Sequence, residues 1–375
     1  MDNQEIRAHF EPAVSNWTYL NAAACGLSPQ FSKTGSETWW NDKLTNGSVN
    51  YHTWEDDALE IKAKFGKLIN AEKEEIACVM NTSEGLNFAI NGMDFGKGDN
   101  VIVNKYDFPS NFLPWLALKQ KGVEVRLMEV IDNRIPVESI QEKIDENTRA
   151  VSISSVQFKN GFRSDLKAIG EVCKEYNAYF VVDAIQSLGA LEMDVKRYGI
   201  DILCTSSYKW LLGPDGVGFL YCSKEIMDEI STTNIGWMST PDPWSFPTEL
   251  EFMETAQKFE SGTLPWALLY SMDPILDFFH KVKVKNITEH VFGLLDYLIE
   301  ELEALHVDIV SSLRENERSC ILAFDVKDRE KLAELYQSRK VRISLRDGIR
   351  VAPHIYNNEE DIARLVSILK EFLGG

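Results

Sequence analysis

From residue 75 to about residue 230 the chain repeats one unit. A short, continuously apolar run rich in β-branched residues is followed by a stretch with helical spacing. EIACVMN, DNVIVNKYDF, VEVRLMEV, TRAVSISSVQF, AYFVVDAIQ, DILCTSS and GVGFLYCS read as strands. Between them, helices are expected over TSEGLNFAINGM (capped by Thr82 or Ser83), PSNFLPWLALKQKG (opened by Pro109), PVESIQEKID and DLKAIGEVCKEYN (capped by Asp165). Strands without a polar face must be buried on both sides. Interleaved with helices, they form an α/β layer: a mostly parallel central sheet with helices on both faces. After about residue 245 the pattern changes to two long helical segments, ALLYSMDPILDFFHKV and ITEHVFGLLDYLIEELEAL. Short strands follow (CILAFDV, VRISL, IRVAPHI), then a final helix from NEEDIARL to the end. We expect a large domain over residues 15–260 and a smaller C-terminal α+β domain over 261–375, with residues 1–14 packing on the latter.

The 375 residues carry a net charge of −19. That balance argues against nucleic acid or an anionic membrane as partner, because both select clustered Lys and Arg; a local basic pocket for a small anion remains compatible with it. The six cysteines are scattered, without a Cys-x-x-Cys pair or zinc-like spacing, so no metal site is expected and most read as buried thiols. The start, MDNQEIRAHF, is too polar for a signal peptide, and no apolar run approaches the ~20 residues that span a bilayer. A reducing, cytoplasmic setting is the expectation.

Chemistry concentrates at strand ends. In SSYKWLLGPDGVGFLY, Lys209 follows the strand DILCT among Tyr208, Trp210, Leu211 and Leu212. Desolvation there would lower its pKa and favour a nucleophilic amine, as Schiff-base chemistry requires; alternatively the side chain reaches solvent. Asp183 ends the apolar strand YFVVD, 26 residues before Lys209, and a carboxylate there is costly without a cationic partner. Neighbouring parallel strands would open both groups on one crevice. Thr82 and Ser83, at a helix start, are either plain caps or an anion site, to which Ser206 and Tyr208 could add donors. Phe108, in the turn DFPSN, is either core or a stacking surface for a planar ring. The glycine-rich turn after Lys209 is expected to let backbone pass close by. GPDGVG is not the G-x-G-x-x-G dinucleotide pattern, and no P-loop occurs.

Together with YLNAAACGLSPQ, NTSEGLN, VIVNKYDFPSNFLPW, VVDAIQSLGAL, FESGTLPWALL and IRVAPHIYNNEEDI, these segments resemble the class V aminotransferase family of fold-type I pyridoxal-phosphate enzymes, in the family's order and over most of the chain. The resemblance implies pyridoxal 5′-phosphate as cofactor. It makes Lys209 the lysine that joins the cofactor aldehyde and moves the Cα proton, and Asp183 the partner of the pyridine nitrogen, which keeps the ring an electron sink. It makes Gln186 a hydrogen-bond partner of the ring hydroxyl or of the lysine–cofactor aldimine, Thr82, Ser83 and Ser206 phosphate ligands, and Phe108 the stacking ring. Tyr208 stands where desulfurases carry histidine. Thr263 is similar to the residue that reaches the phosphate of a neighbouring subunit, implying a homodimer with shared sites. Arg350 resembles the arginine that clamps the substrate α-carboxylate, with Arg346 as the alternative and Asn21 as a further substrate contact.

For the reaction, the resemblance leaves transamination of a small amino acid as the favoured expectation. A pyridoxal-phosphate lyase (kynureninase-like or C–S lyase) and an epimerase are the alternatives, and a catalytically idle binding relative is a third class. A desulfurase needs a mobile nucleophilic thiol, in this family near the carboxylate arginine. VRISLRDGIRVAPH contains none, Cys320 reads as core, and Cys25 is the remaining candidate. C–S cleavage without a thiol stays open.

Overall fold

The computed structural model describes residues 3–374; residues 1, 2 and 375, the outer ends of the expected segments, lie outside the described residues. Among the described residues the central sheet has seven strands: β1 (Ile76–Val79), β2 (Asn100–Val103), β3 (Glu124–Leu127), β4 (Thr148–Ser154), β5 (Tyr179–Asp183), β6 (Ile202–Ser206) and β7 (Gly218–Cys222). Their spatial order is β1-β7-β6-β5-β4-β2-β3. Only β7 runs against its neighbours, so β1 is parallel to β6 and to the remaining strands. The carboxyl ends of β1, β2, β4, β5 and β6 therefore lie along one edge, where open α/β sheets collect their ligands.

Alternate side chains of each strand enter different cores. Phe180, Val182, Leu203 and Phe219 join one apolar cluster, and Val181, Ile202, Cys204 and Leu220 join the other. Period-two alternation with apolar residues on both faces is what buries β6 and β7 completely and β5 from Phe180 onward. β3 is the exception: Glu124 and Arg126 mark it as an exposed edge, where the pair they form with each other keeps the rim polar.

The C-terminal part is built on a second, antiparallel sheet of Ser344–Leu345, Ile349–Val351, Leu322–Asp325 and Asp308–Ile309. VRISL, expected as one strand, is divided. Val341–Arg342 pairs in parallel with Thr18–Tyr19, and Ser344–Leu345 turns to pair with Ile349–Val351. The N-terminal segment is thereby stitched to this part, continuing through an Asn21–Ala352 bridge and an Arg7–Asp361 ion pair. Two helices are also shorter than their sequence patterns. PVESIQEKID yields only Glu138–Gln141, and the run after Pro109 divides into a single turn, Pro109–Asn111, and a short helix, Leu113–Ala117, that carries Pro114 in its first turn.

One buried ion pair ties the sheet edge to the rest. Lys62, on the helix Tyr51–Ile69, donates to both carboxylate oxygens of Glu260 (3.0 and 3.1 Å), and Glu260 also accepts from the Cys78 amide of β1 (2.7 Å). Replacing one partner strands the other charge in the core, at a cost of about 3–5 kcal/mol. Glu260→Gln, which retains an acceptor for the Cys78 amide, should therefore lower the urea-unfolding free energy by an amount of that order, whereas Lys62→Met with Glu260→Gln should recover part of the loss. Equal losses in the single and double variants would contradict this account.

Candidate active site

The strand edge delivers its chemistry in chain order. After β1, Asn81 caps the helix Thr82–Gly92: its extended backbone lets its side chain accept from the Glu84 amide (3.0 Å). This corrects the expectation that Thr82 or Ser83 is the cap. With capping done by Asn81, both hydroxyls are free for other partners. Thr82 and Ser206, the last residue of β6, meet through Thr82 N–H to Ser206 Oγ (2.8 Å) and Thr82 Oγ1 to Ser206 Oγ (3.1 Å). Ser83 Oγ donates to Ser110 Oγ (2.6 Å). A helix N-terminus surrounded by the hydroxyls of Thr82, Ser83, Ser110 and Ser206 is suited to a phosphate.

Asp183 and Lys209 close the same edge from β5 and β6. Asp183 is 2% exposed and accepts from the Ile185 amide (3.0 Å). Burial pushes its carboxyl up to about 6, against the opposing effects of that hydrogen bond and of Lys209. Lys209 is 8% exposed, and burial brings its amine down to about 8 even though Asp183 favours the charged form; Arg350 and Arg346 press in the same direction as burial. Among the described residues no ion pair or hydrogen bond engages the Lys209 amine. Its nearest aromatic faces are Tyr208 (5.7 Å to the ring centroid) and Phe108 (5.8 Å). Phe108 is 45% exposed and meets Phe158 edge-on at 5.4 Å. An aromatic ring left open over a crevice floor of Asp183 and Lys209 can stack on a planar group.

The backbone that carries Lys209 is gripped from two sides. A β-carbon at Gly26 would stand 2.1 Å from the Lys209 carbonyl oxygen, and one at Gly189, which has φ +95°, would stand 2.2 Å from that of Trp210. Close passage was expected from the glycines after Lys209, and Gly218 makes it, a β-carbon there standing 2.4 Å from the Thr205 carbonyl oxygen; Gly26 and Gly189 add to it from other parts of the chain. Trp210 is a hub. Its indole donates to Gln186 Oε1 (3.0 Å), and Gln186 Nε2 donates to Ala23 O (2.9 Å), leaving its second N–H available. The Trp210 carbonyl accepts from His354 Nε2 (3.0 Å), and burial holds His354 neutral, near 4.

Arg350 is 1% exposed. It donates to Phe158 O (2.5 Å) and lies 3.4 Å from Ser344 Oγ, while its Nε has no partner. Burial, and then Arg346, bring its guanidinium down to about 9. A buried guanidinium with only neutral acceptors awaits an anion. Asn21 accepts from the same Ser344 hydroxyl (2.6 Å) and so lies beside Arg350. Arg346 is exposed in the adjoining turn. Thr263 does not join this group: it is exposed and faces Tyr51. Cys25 is exposed and close enough to Lys209 for each to feel the other's charge; burial and Asp215 raise its thiol pKa. The other five cysteines are buried, Cys320 bonding Ala190 O.

Sequence reasoning missed Asp107, one residue before Phe108. It is buried and receives hydrogen bonds from Asn104, Asn111, Gln157 and the Ser154 amide. Burial pushes its carboxyl above the ordinary range, and its charge reaches Asp183. The clue was the acid two residues before the turn proline, in YDFPSN. Among the described residues no helix is long and apolar enough to cross a membrane, and no group of acidic, histidine and cysteine side chains could hold a metal ion.

The family model for class-V aminotransferases matches residues 19–366. The chain belongs to the class-V aminotransferase family. A probable cysteine desulfurase of Methanothermobacter thermautotrophicus is 30% identical over 84% of this chain and 83% of its own length. The fold matches that of the apo cysteine desulfurase from Thermococcus onnurineus NA1 (TM-score 0.90, 21% identity, 99% of this chain and 98% of that one). It also matches a lysine-to-alanine mutant of C-DES with glycine covalently linked to its PLP cofactor (TM-score 0.90, 21% identity, 97% and 98%). This family member is a pyridoxal-phosphate-dependent enzyme. Its crevice fits that group: a buried amine without a bond, a buried carboxylate, an open aromatic face and hydroxyls at a helix start.

A lysine brought down to about 8 is half neutral at a pH where an ordinary lysine is still almost wholly charged. Covalent capture of pyridoxal phosphate by the cofactor-free protein should therefore accelerate with rising pH and level off above about 8. A rate that keeps rising tenfold per unit to pH 10 would contradict the desolvated amine.

Proposed function

We propose that the protein uses Lys209 and pyridoxal phosphate to cleave the Cβ–S bond of a sulfur-containing L-amino acid. The observation that carries the amino-acid part is the unpaired, buried Arg350 on the rim of the crevice that holds Lys209 and Asp183. The relative from Methanothermobacter, named a probable cysteine desulfurase, supports sulfur chemistry over the transamination that the sequence alone favoured. Bound there, the cofactor supplies an electron sink for a carbanion at Cα.

The roles of the chain's residues follow from their chemistry. Asp183 would keep a ring nitrogen protonated, since a carboxylate at that depth is stabilised by a facing cation. Gln186, oriented by Trp210 and Ala23, would donate its remaining N–H to an oxyanion on the ring. Thr82, Ser83 and Ser206 would hold the phosphate, Tyr208 would line it, and Phe108 would cover the ring face. Arg350 would take the α-carboxylate through a charge-assisted pair, with Asn21 beside it. Lys209, neutral at modestly alkaline pH, would accept the Cα proton; the Cβ–S electron pair would then leave with sulfur. Thr263, exposed beside Tyr51 and away from its own crevice, suits a role at the site of a second copy in a homodimer.

The test is incubation of the cofactor-loaded protein with excess L-cysteine, L-cystine or S-methylcysteine, with no keto acid added, followed by analysis of cofactor and products. The proposal expects repeated release of sulfide, persulfide or thiol, with the cofactor recovered as pyridoxal phosphate. One equivalent of keto acid per site, with the cofactor converted to pyridoxamine phosphate and no sulfur released, would make the enzyme an aminotransferase.

A further inference from the structure

Two guanidinium groups approach the crevice, and an α-carboxylate accounts for one. Arg350 lies in the strand Ile349–Val351, opposite Ser344, and Arg346 lies in the turn that joins these two strands, where its amide donates to Gly348 O (2.9 Å). That turn is fastened over the rim of the site. Asp347 pairs with Lys159 (3.0 Å), while the preceding Phe158 accepts from Arg350 and packs edge-on against Phe108, the ring 5.8 Å from the Lys209 amine.

Arg346 has no counter-ion among the described residues. Its one side-chain hydrogen bond goes to the adjacent Leu345 carbonyl (2.8 Å). The acid next to it in the chain is engaged elsewhere: Asp347 pairs with Lys159. The chain has 58 acidic and 39 basic side chains, so acids to neutralise this spot were plentiful. Instead Arg346, Arg350 and Lys209 stand together, and the charge of Arg346 is felt at both of the others. Like charges gathered at a cleft mouth raise the local concentration of anions and repay their mutual repulsion when anions bind.

We propose that the substrate carries a second anionic group beyond its α-carboxylate, and that Arg346 binds this group while Arg350 holds the α-carboxylate. The inference rests on the reading of Arg350 given above. It names the substrate class as an L-amino acid whose sulfur-bearing side chain ends in a carboxylate or sulfur oxyanion, such as a cystine-type disulfide, an S-carboxyalkyl cysteine or S-sulfocysteine. Arg346 then determines specificity.

The test uses the cofactor-loaded protein and two readouts. In calorimetric titration, unreactive glutarate should bind at least about tenfold more tightly than butyrate, the increment expected of one charge-assisted contact. The difference should shrink with added salt and collapse in Arg346→Gln, with Arg346→Lys intermediate. In turnover, the ratio of kcat/KM for S-carboxymethylcysteine over S-methylcysteine should fall about tenfold in Arg346→Gln. Equal binding of the two acids, no binding of either, or a preference that survives Arg346→Gln overturns the inference. Because the titration needs no reaction, a preference for glutarate alongside transamination products would remove C–S cleavage and leave the acidic class standing. Sulfur release without that preference would do the reverse.

Discussion

The site depends on keeping one amine out of water without giving it a partner. Lys209 follows β6, and its main chain is gripped between Gly26 and Gly189, where any side chain would collide with the Lys209 or Trp210 carbonyl. Held there, the lysine is 8% exposed, and desolvation outweighs every neighbouring charge in setting its protonation. The segments that provide the grip come from the N-terminal run that pairs with the C-terminal sheet and from the loop after β5. Assembly of the reactive lysine therefore requires both parts of the chain to be folded and docked.

The same logic extends to the other ionisable groups. Asp183, Asp107 and Arg350 are all buried, and each is supported by neutral hydrogen-bonding partners instead of a direct ion pair. Groups held this way are costly in an empty crevice and are stabilised by a ligand bearing the opposite charge. The contrast with Lys62 and Glu260 is instructive: there the charges neutralise each other, and the pair fastens the sheet edge. Buried charge in this molecule is thus of two kinds, one closed on itself and one open to a ligand.

Much of this was legible in the sequence because it follows from period and position. Continuous apolar runs alternating with helices specify a parallel sheet, and residues just beyond the strand ends must share an edge; that brought Asp183, Ser206 and Lys209 together in advance. The family resemblance added Arg350 and Gln186. What escaped reading depends on registration between distant segments. Asn81 outcompetes Thr82 and Ser83 as a cap because its backbone is extended there. VRISL splits because one half finds Thr18–Tyr19 and the other folds back on Ile349–Val351. Asp107 and His354 act through partners up to 144 residues away, as in the bond from His354 to the Trp210 carbonyl, and no local pattern announces such contacts.

The most direct test of the account is where the cofactor attaches. The protein loaded with pyridoxal phosphate would be treated with borohydride, digested and mapped by mass spectrometry. The account predicts that the reduced cofactor label sits on the peptide containing Lys209 and disappears in Lys209→Ala. A label of equal yield on another lysine of the wild-type protein, such as the buried Lys62 or Lys258, would contradict the central claim.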